Sequence, residues 1–136
     1  MHNSLRNLTA AAAFVILAGA ALAQSSDWYK NREDRYRDEH WRGRIFSEIR
    51  EDLDHVHTSV FAGHDEYRIV RTKEELNEMQ NDLAAHRYNQ AKLDEVIGNL
   101  QRVVADNRMT ARDRDVLNDD LHRLRDYREH HENWGR

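Results

Sequence analysis

Histidine is the residue type with the widest chemical potential in this chain of 136 residues. Nine histidines occur, and all but His2 follow residue 23. Imidazole is the commonest metal ligand in proteins, and helical bundles can hold metal ions between facing helices. The densest local group is DHVH at 54–57, followed by His64 and Asp65. A divalent-metal site is therefore one hypothesis that the sequence raises.

The spacing of these histidines limits that hypothesis. Residues two apart on a helix point about 200° apart, so His55 and His57 cannot chelate one ion together. His57 reaches His64 and Asp65 only if the following turn folds back, and these three residues are the candidate ligands. The chain has neither a His-Glu-x-x-His nor a Glu-x-x-His pattern, the usual helical metal signatures.

Catalysis has little support in the sequence. The chain has no cysteine, which excludes thiolate nucleophiles, thiolate metal sites and disulfides. Ser47 and Ser59 are the only serines beyond Ser26, and neither lies in a G-x-S-x-G motif. The five glycines are isolated, so no glycine-rich phosphate loop exists. We interpret the protein as a non-enzyme with no bound cofactor, divalent metal being the alternative.

The composition predicts a single all-α domain. The chain has no proline and five glycines, whereas turn-rich β-sandwiches and barrels need many such residues. A length of 136 residues allows one domain. The formal net charge of -4 removes the usual electrostatic basis for nucleic-acid binding.

Residues 1–23 have the pattern of a secretory signal peptide. Arg6 is the only Arg, Lys, Asp or Glu among them, and an apolar run follows it. The run ends in Ala21 and Ala23 around a leucine, the small-x-small pattern that signal peptidase accepts. It is shorter than the ~20 residues that span a bilayer. We therefore expect cleavage after Ala23, secretion to the periplasm, and no stable membrane span afterwards.

Residues 24–43 form a charged leader with aromatic but no leucine, isoleucine or valine side chains. Such a segment cannot build a core, so we predict a flexible leader or one whose rings dock on the helices. The three tryptophans, Trp28, Trp41 and Trp134, lie near the two ends of the chain. They either pack leader against tail or form an interaction surface, because tryptophan is enriched at contact hot spots.

From residue 44 onward, apolar residues recur at steps of three and four, which predicts amphipathic helices. The expected helices cover about 44–61, 65–88, 90–106 and 111–129. Their apolar stripes are Phe46, Ile49, Leu53, Val56 and Val60; Ile69, Thr72, Leu76, Met79, Leu83 and His86; Leu93, Val96, Ile97, Leu100, Val103 and Val104; and Leu117, Leu121 and Leu124, with Val116 and Tyr127 at the edges.

Capping residues support several of these boundaries. Asn89 and Thr110 are suited to N-cap the third and fourth helices. The second helix has an alternative start at Thr72, which heads a capping-box pattern, but we prefer the longer helix. Gly98 lies inside the third helix, where glycine costs ~1 kcal/mol relative to alanine. We therefore expect Gly98 to mark a close helix contact.

The charged residues, 34% of the chain, lie mostly outside these apolar stripes and so on the outer faces of the helices. The helices must therefore be held together by burying their stripes against each other. Short connections favour antiparallel neighbours, so residues 44–129 should form an up-down four-helix bundle, or a three-helix one. Residues 130–136 are left as a C-terminal tail.

These features predict a non-enzymatic interaction or stress-type protein of the cell envelope, with a protein partner or self-association and no nucleic acid. One alternative is histidine-based metal binding or sensing. Another is coiled-coil-like self-association through the fourth helix, whose stripe is narrow.

Cleavage after Ala23 leaves a chain that begins at Gln24. Mass spectrometry of the protein purified from its own compartment should show the loss of residues 1–23. Under native conditions the same measurement also reports bound metal and the oligomeric state. A protein that retains residues 1–23 contradicts the signal-peptide prediction.

Overall fold

The computed structural model describes residues 27–60, 64–106 and 108–134, and these contain helices but no strand. The predicted signal peptide, with Ala21 and Ala23 at its cleavage site, lies outside the described residues. The elements in chain order are α1 at 27–35, a 3-10 helix at Glu39–Arg44, α2 at Ile45–Val60, α3 at His64–Ala84, α4 at Gln90–Val104, α5 at Ala111–His130, and a 3-10 helix at His131–Asn133.

The chain divides into two compact units, Met1–Glu39 and His40–Arg136. Helices α2 to α5 belong to the second unit and form an up-down four-helix bundle, which confirms the predicted fold class. α2 packs against α3 and α5, and α4 packs against the same two helices. Each helix therefore has two neighbours, and the four stripes meet in one core.

The core consists largely of the predicted stripes. Val116 and Tyr127, which the sequence placed at the edges of the α5 stripe, are also buried, so α5 has a wider apolar face than expected. The buried apolar residues of the four helices are Ile45, Phe46, Ile49, Leu53, Val56, Ile69, Leu76, Met79, Leu93, Val96, Ile97, Leu100, Val103, Val116, Leu117, Leu121, Leu124 and Tyr127. Full burial of each such side chain stabilises the fold by ~1.5–3 kcal/mol before the entropy cost of folding.

Helix α3 starts near residue 65, as preferred, but it ends at Ala84 rather than at 88. The Arg87 amide donates to the Asp82 carbonyl at 2.7 Å, and the His86 amide donates to the Leu83 carbonyl at 3.0 Å. His86 has a φ of 57°, in the left-handed region. Together these form a Schellman motif, with His86 in the position that glycine usually takes. The prediction that His86 extends the apolar stripe is therefore wrong, because the chain has already turned.

The two predicted N-caps are confirmed. The Asn89 side chain accepts a hydrogen bond from the Lys92 amide at 3.0 Å, and the Thr110 hydroxyl accepts one from the Asp113 amide at 3.2 Å. Each bond satisfies one of the amides that the first turn of a helix leaves without an intrahelical partner.

Gly98 does not mark a close helix contact. A β-carbon placed on Gly98 would have no other atom within 4 Å beyond its immediate surroundings, so the expectation from the sequence is wrong at this position. The residue lies on a half-buried part of α4, where a methyl group has room.

The described part of the first unit contains α1, which hydrophobic patterning did not predict in the leader. The Arg32 guanidinium lies 4.7 Å from the centre of the Tyr36 ring. Trp28 meets Tyr29 edge to face, with 5.1 Å between ring centres. Aromatic and cation–π contacts take the place of aliphatic packing in this segment.

Within the described ranges, no helix combines the length and apolarity needed to cross a membrane.

Replacement of Gly98 by alanine should raise the free energy of unfolding by about 1 kcal/mol, because alanine has the higher helix propensity and its methyl group meets no clash here. Chemical denaturation monitored by circular dichroism measures the change. An unchanged or lowered stability would show that the surroundings of Gly98 are tighter than described.

Candidate functional site

One end of the bundle carries a cleft of about 490 Å³. It lies where α3 and α5 end and where the chain enters α2. Pockets of ~300–1,000 Å³ are typical of small-molecule sites, so the cleft has a suitable size. Its lining residues are Gly43, Leu83, Ala84, His86, Arg87, Tyr88, Tyr127, His131, Glu132 and Trp134.

The turn after α3 determines which side chains reach the cleft. His86 ends α3 in a left-handed conformation, which turns the chain away from the helix axis. Arg87 and Tyr88 therefore line the cleft instead of extending the outer face of α3. The 3-10 helix His131–Asn133 brings residues of the other wall into place after α5. Backbone geometry at two helix ends therefore builds the site.

Aromatic rings form much of the wall. The rings of Tyr88 and His131 are stacked, with 3.6 Å between centres and 5° between planes. Tyr127 meets Tyr88 and Trp134 edge to face, with centres 5.8 Å and 5.4 Å apart. Tyr127 also contacts the buried Phe46 ring, 5.2 Å away. The wall of the cleft is thus continuous with the core of the bundle.

Trp134 ties the C-terminal tail to the segment before α2. Its indole Nε1 donates a hydrogen bond to the Arg42 carbonyl at 2.8 Å. Its ring meets Trp41 edge to face, 5.6 Å between centres, and the Arg42 guanidinium lies 5.1 Å from its centre. Of the two interpretations that the sequence left open, packing of the tail against the end of the leader is observed for Trp41 and Trp134.

Both tyrosines of the cleft are neutral phenols at physiological pH. Burial raises the pKa of Tyr127 above its ordinary 10.0, and the nearby Tyr88 and Asp82 raise it further. Burial also raises the pKa of Tyr88, while the Arg128 guanidinium opposes the rise and the Asp94 carboxylate adds to it. These rings therefore offer faces and hydroxyl groups, not a general base.

The charges around the cleft are mostly paired with each other. Arg87 Nη2 lies 3.2 Å from Asp82 Oδ1, and Arg128 Nε lies 2.8 Å from Asp94 Oδ1. Glu132, an exposed lining residue, has no ion-pair partner among the residues that the structure describes. The cleft consequently has one carboxylate available to a ligand.

The candidate metal ligands occupy a different place. His57, on α2, has both ring nitrogens engaged: Lys73 Nζ donates to Nδ1 at 2.8 Å, and Nε2 lies 3.4 Å from Glu66 Oε1. The side chains of His64 and Asp65 lie outside what the structure describes, so the predicted set of three stays a prediction. In the described part of the chain, no group of three His, Asp or Glu side chains is arranged to hold a metal ion.

The prediction that His55 and His57 point away from each other is confirmed. His55 Nε2 lies 3.4 Å from Asp113 Oδ1 on α5, whereas His57 contacts residues of α3. Val56 between them is fully buried. Each histidine therefore contributes to a different helix–helix seam.

A second polar cluster lies between α3 and α4. Glu75 is 6% exposed, so its carboxylate is almost completely removed from solvent. Arg71 Nε lies 3.1 Å from Glu75 Oε1, and Arg71 Nη2 lies 3.4 Å from Glu95 Oε1. Burial raises the pKa of Glu75 above its ordinary 4.5, the Glu95 charge raises it further, and the Arg71 charge opposes the rise.

Sequence reasoning missed the cleft. It assigned His131, Glu132 and Trp134 to a fraying tail and placed Tyr88 at the end of the second helix. The available signal was the density of aromatic and histidine residues from Tyr127 onward, together with the tyrosine just before the Asn89 cap. Neither feature has helical periodicity, so a search for amphipathic stripes passes over both.

No family model, no curated protein and no solved structure matches this chain.

Replacement of Glu75 by glutamine should raise the free energy of unfolding at neutral pH by roughly 0.5 kcal/mol, the scale of one like-charge helix pair. A carboxyl group whose pKa is higher in the folded state favours folding when protonated and loses that contribution as the pH rises from the ordinary value through the raised one. The gain from Glu75→Gln should therefore shrink as the pH falls toward 4.5 and disappear well below it. Urea denaturation at neutral and at acidic pH measures it.

Glu74→Gln is the matched control, since Glu74 is exposed on the same helix. A loss of stability in Glu75→Gln at neutral pH would show that the ion pair with Arg71 outweighs burial and the Glu95 charge. A gain that persists in acid would show that the gain does not come from the charge of the carboxylate.

Proposed function

We propose that the protein is a secreted, non-enzymatic binding protein of the cell envelope that holds a small organic ligand in the aromatic cleft. The observation that carries this proposal is the cleft itself: about 490 Å³, with Tyr88, Tyr127 and Trp134 in its lining, and open to ligand at the end of the bundle. Largely preformed concave sites with aromatic walls and few polar groups are typical of ligand-binding proteins.

Binding rather than catalysis fits the chemistry of the lining. Tyr88 and Tyr127 have raised pKa values and do not act as bases near neutral pH. His131 is stacked on Tyr88, which fixes its ring as part of the wall. The whole sequence also lacks the nucleophile motifs named above. These observations favour a site that recognises shape and charge.

The proposed location rests on the amino-acid sequence of residues 1–23. A basic residue, an apolar run and a small-x-small end are the three parts of a secretory signal. An exported binding protein without cysteine depends on packing alone for its stability, and the core of the bundle supplies that packing.

Ligand binding can be tested with a set of small organic fragments grouped as cationic, neutral and anionic. At least one group should shift the amide resonances of residues 83–88 and 127–134 in two-dimensional NMR spectra of the labelled protein. Affinities in the millimolar range or tighter are expected, because drug-sized ligands gain roughly 0.3 kcal/mol per heavy atom.

Tyr88→Ala should abolish these shifts. Tyr67→Ala is the matched control: Tyr67 is 69% exposed, and it precedes the C-terminal end of α3 by about 25 Å of helix. If no group of fragments binds, or if Tyr88→Ala binds as well as the Tyr67→Ala protein, the proposed function fails.

A further inference from the structure

We propose that the ligand of the cleft is an organic cation, a substituted ammonium group held against the rings of Tyr88 and Trp134 and paired with the Glu132 carboxylate. This inference rests on the proposed function and adds the chemical class of the ligand. Aromatic cages with a nearby acid are a known solution for recognising ammonium groups that carry alkyl substituents.

The arrangement of the rings supports a cage rather than a flat stacking surface. The planes of Tyr88 and Tyr127 meet at 64°, and those of Tyr127 and Trp134 meet at 76°. Tyr127 is 4% exposed, so the ring surface open to a ligand belongs to Tyr88 and Trp134, which both meet Tyr127 at these steep angles. A compact, roughly spherical group can contact both rings at once, whereas a planar ligand stacks on one.

The same end of the bundle already holds two cations on aromatic rings. The Arg42 guanidinium lies 5.1 Å from the Trp134 centre, and the Arg123 guanidinium lies 4.3 Å from the Trp41 centre. Both distances fall within the ~6 Å over which a ring attracts a cation. Trp134 remains half-exposed and lines the cleft, so it can contact a ligand as well.

The charge balance of the lining favours a cation over an anion. Arg87 is the only arginine or lysine in the lining, and its charge is offset by Asp82 at 3.2 Å; the Arg42 guanidinium on Trp134 lies outside the lining. Glu132 contributes a carboxylate that has no ion-pair partner in the described parts of the chain. An anion would meet this carboxylate and the negative faces of the rings.

Choline and 3,3-dimethyl-1-butanol test the inference, because they share a shape and differ in having a cationic nitrogen or a neutral carbon. Calorimetric titration of the purified protein should show choline binding about tenfold more tightly. Equal affinity, or tighter binding of the alcohol, overturns the cation inference.

Two variants and one control separate the parts of the site. Glu132→Gln should weaken choline binding about threefold and leave the affinity for the alcohol unchanged. Glu129→Gln, which removes an equal charge from an exposed acid of α5 outside the lining, should have no effect. Tyr88→Leu keeps apolar volume but removes a ring, and it should weaken choline more than the alcohol. If Glu132→Gln and Glu129→Gln behave alike, the carboxylate contact is wrong.

The fragment experiment distinguishes a failure of the cation inference from a failure of the proposed function. Neutral or anionic fragments that bind in the cleft while choline does not would overturn the cation inference and leave the proposed function standing. Failure of every fragment group overturns both.

Discussion

Mutual burial of four apolar stripes is the constraint on which this structure depends. Charged residues make up 34% of the chain, and isolated ion pairs on exposed helix faces add only ~0.5 kcal/mol each. The helices are therefore held by packing, with α2 and α4 each lying between α3 and α5. The fully buried Leu53, Leu76, Leu100 and Leu124 show that all four helices contribute to one core.

The cleft is a consequence of how this packing ends. The Schellman turn at His86 directs Tyr88 across the end of the bundle, and the 3-10 helix after α5 returns the tail toward Arg42. Tyr127 connects the core with the cleft, because its ring packs on Phe46 in the core and on Tyr88 and Trp134 in the cleft. The site is thus assembled from four segments of the chain that only the folded bundle brings together.

Helical periodicity was sufficient to predict the architecture. Steps of three and four identified the buried faces of all four helices, and side-chain chemistry located the caps Asn89 and Thr110. The end of α3 escaped prediction, because a left-handed histidine has no reliable signature in a single sequence. The prediction for Gly98 was also wrong. Glycine in a helix often marks close packing, but here it faces open space.

The site could not be predicted in the same way, because its members share no period. Trp41 and Trp134 are far apart in sequence, and their contact depends on a hydrogen bond to a backbone carbonyl that sequence patterns do not reveal. The number of histidines suggested metal ligands. In the structure, His57 forms part of a helix–helix seam and His131 forms part of the aromatic wall of the cleft.

Proton NMR of the Trp134 indole tests the central claim most directly. If the tail closes the aromatic cleft, the Nε1 proton exchanges slowly, since it donates to the Arg42 carbonyl at 2.8 Å, and it shows cross-relaxation with protons of Arg42. The Trp134 ring protons should likewise show contacts with the Tyr127 ring, whose centre lies 5.4 Å away. A rapidly exchanging indole with random-coil shifts and no contacts to Arg42 or Tyr127 would contradict the account.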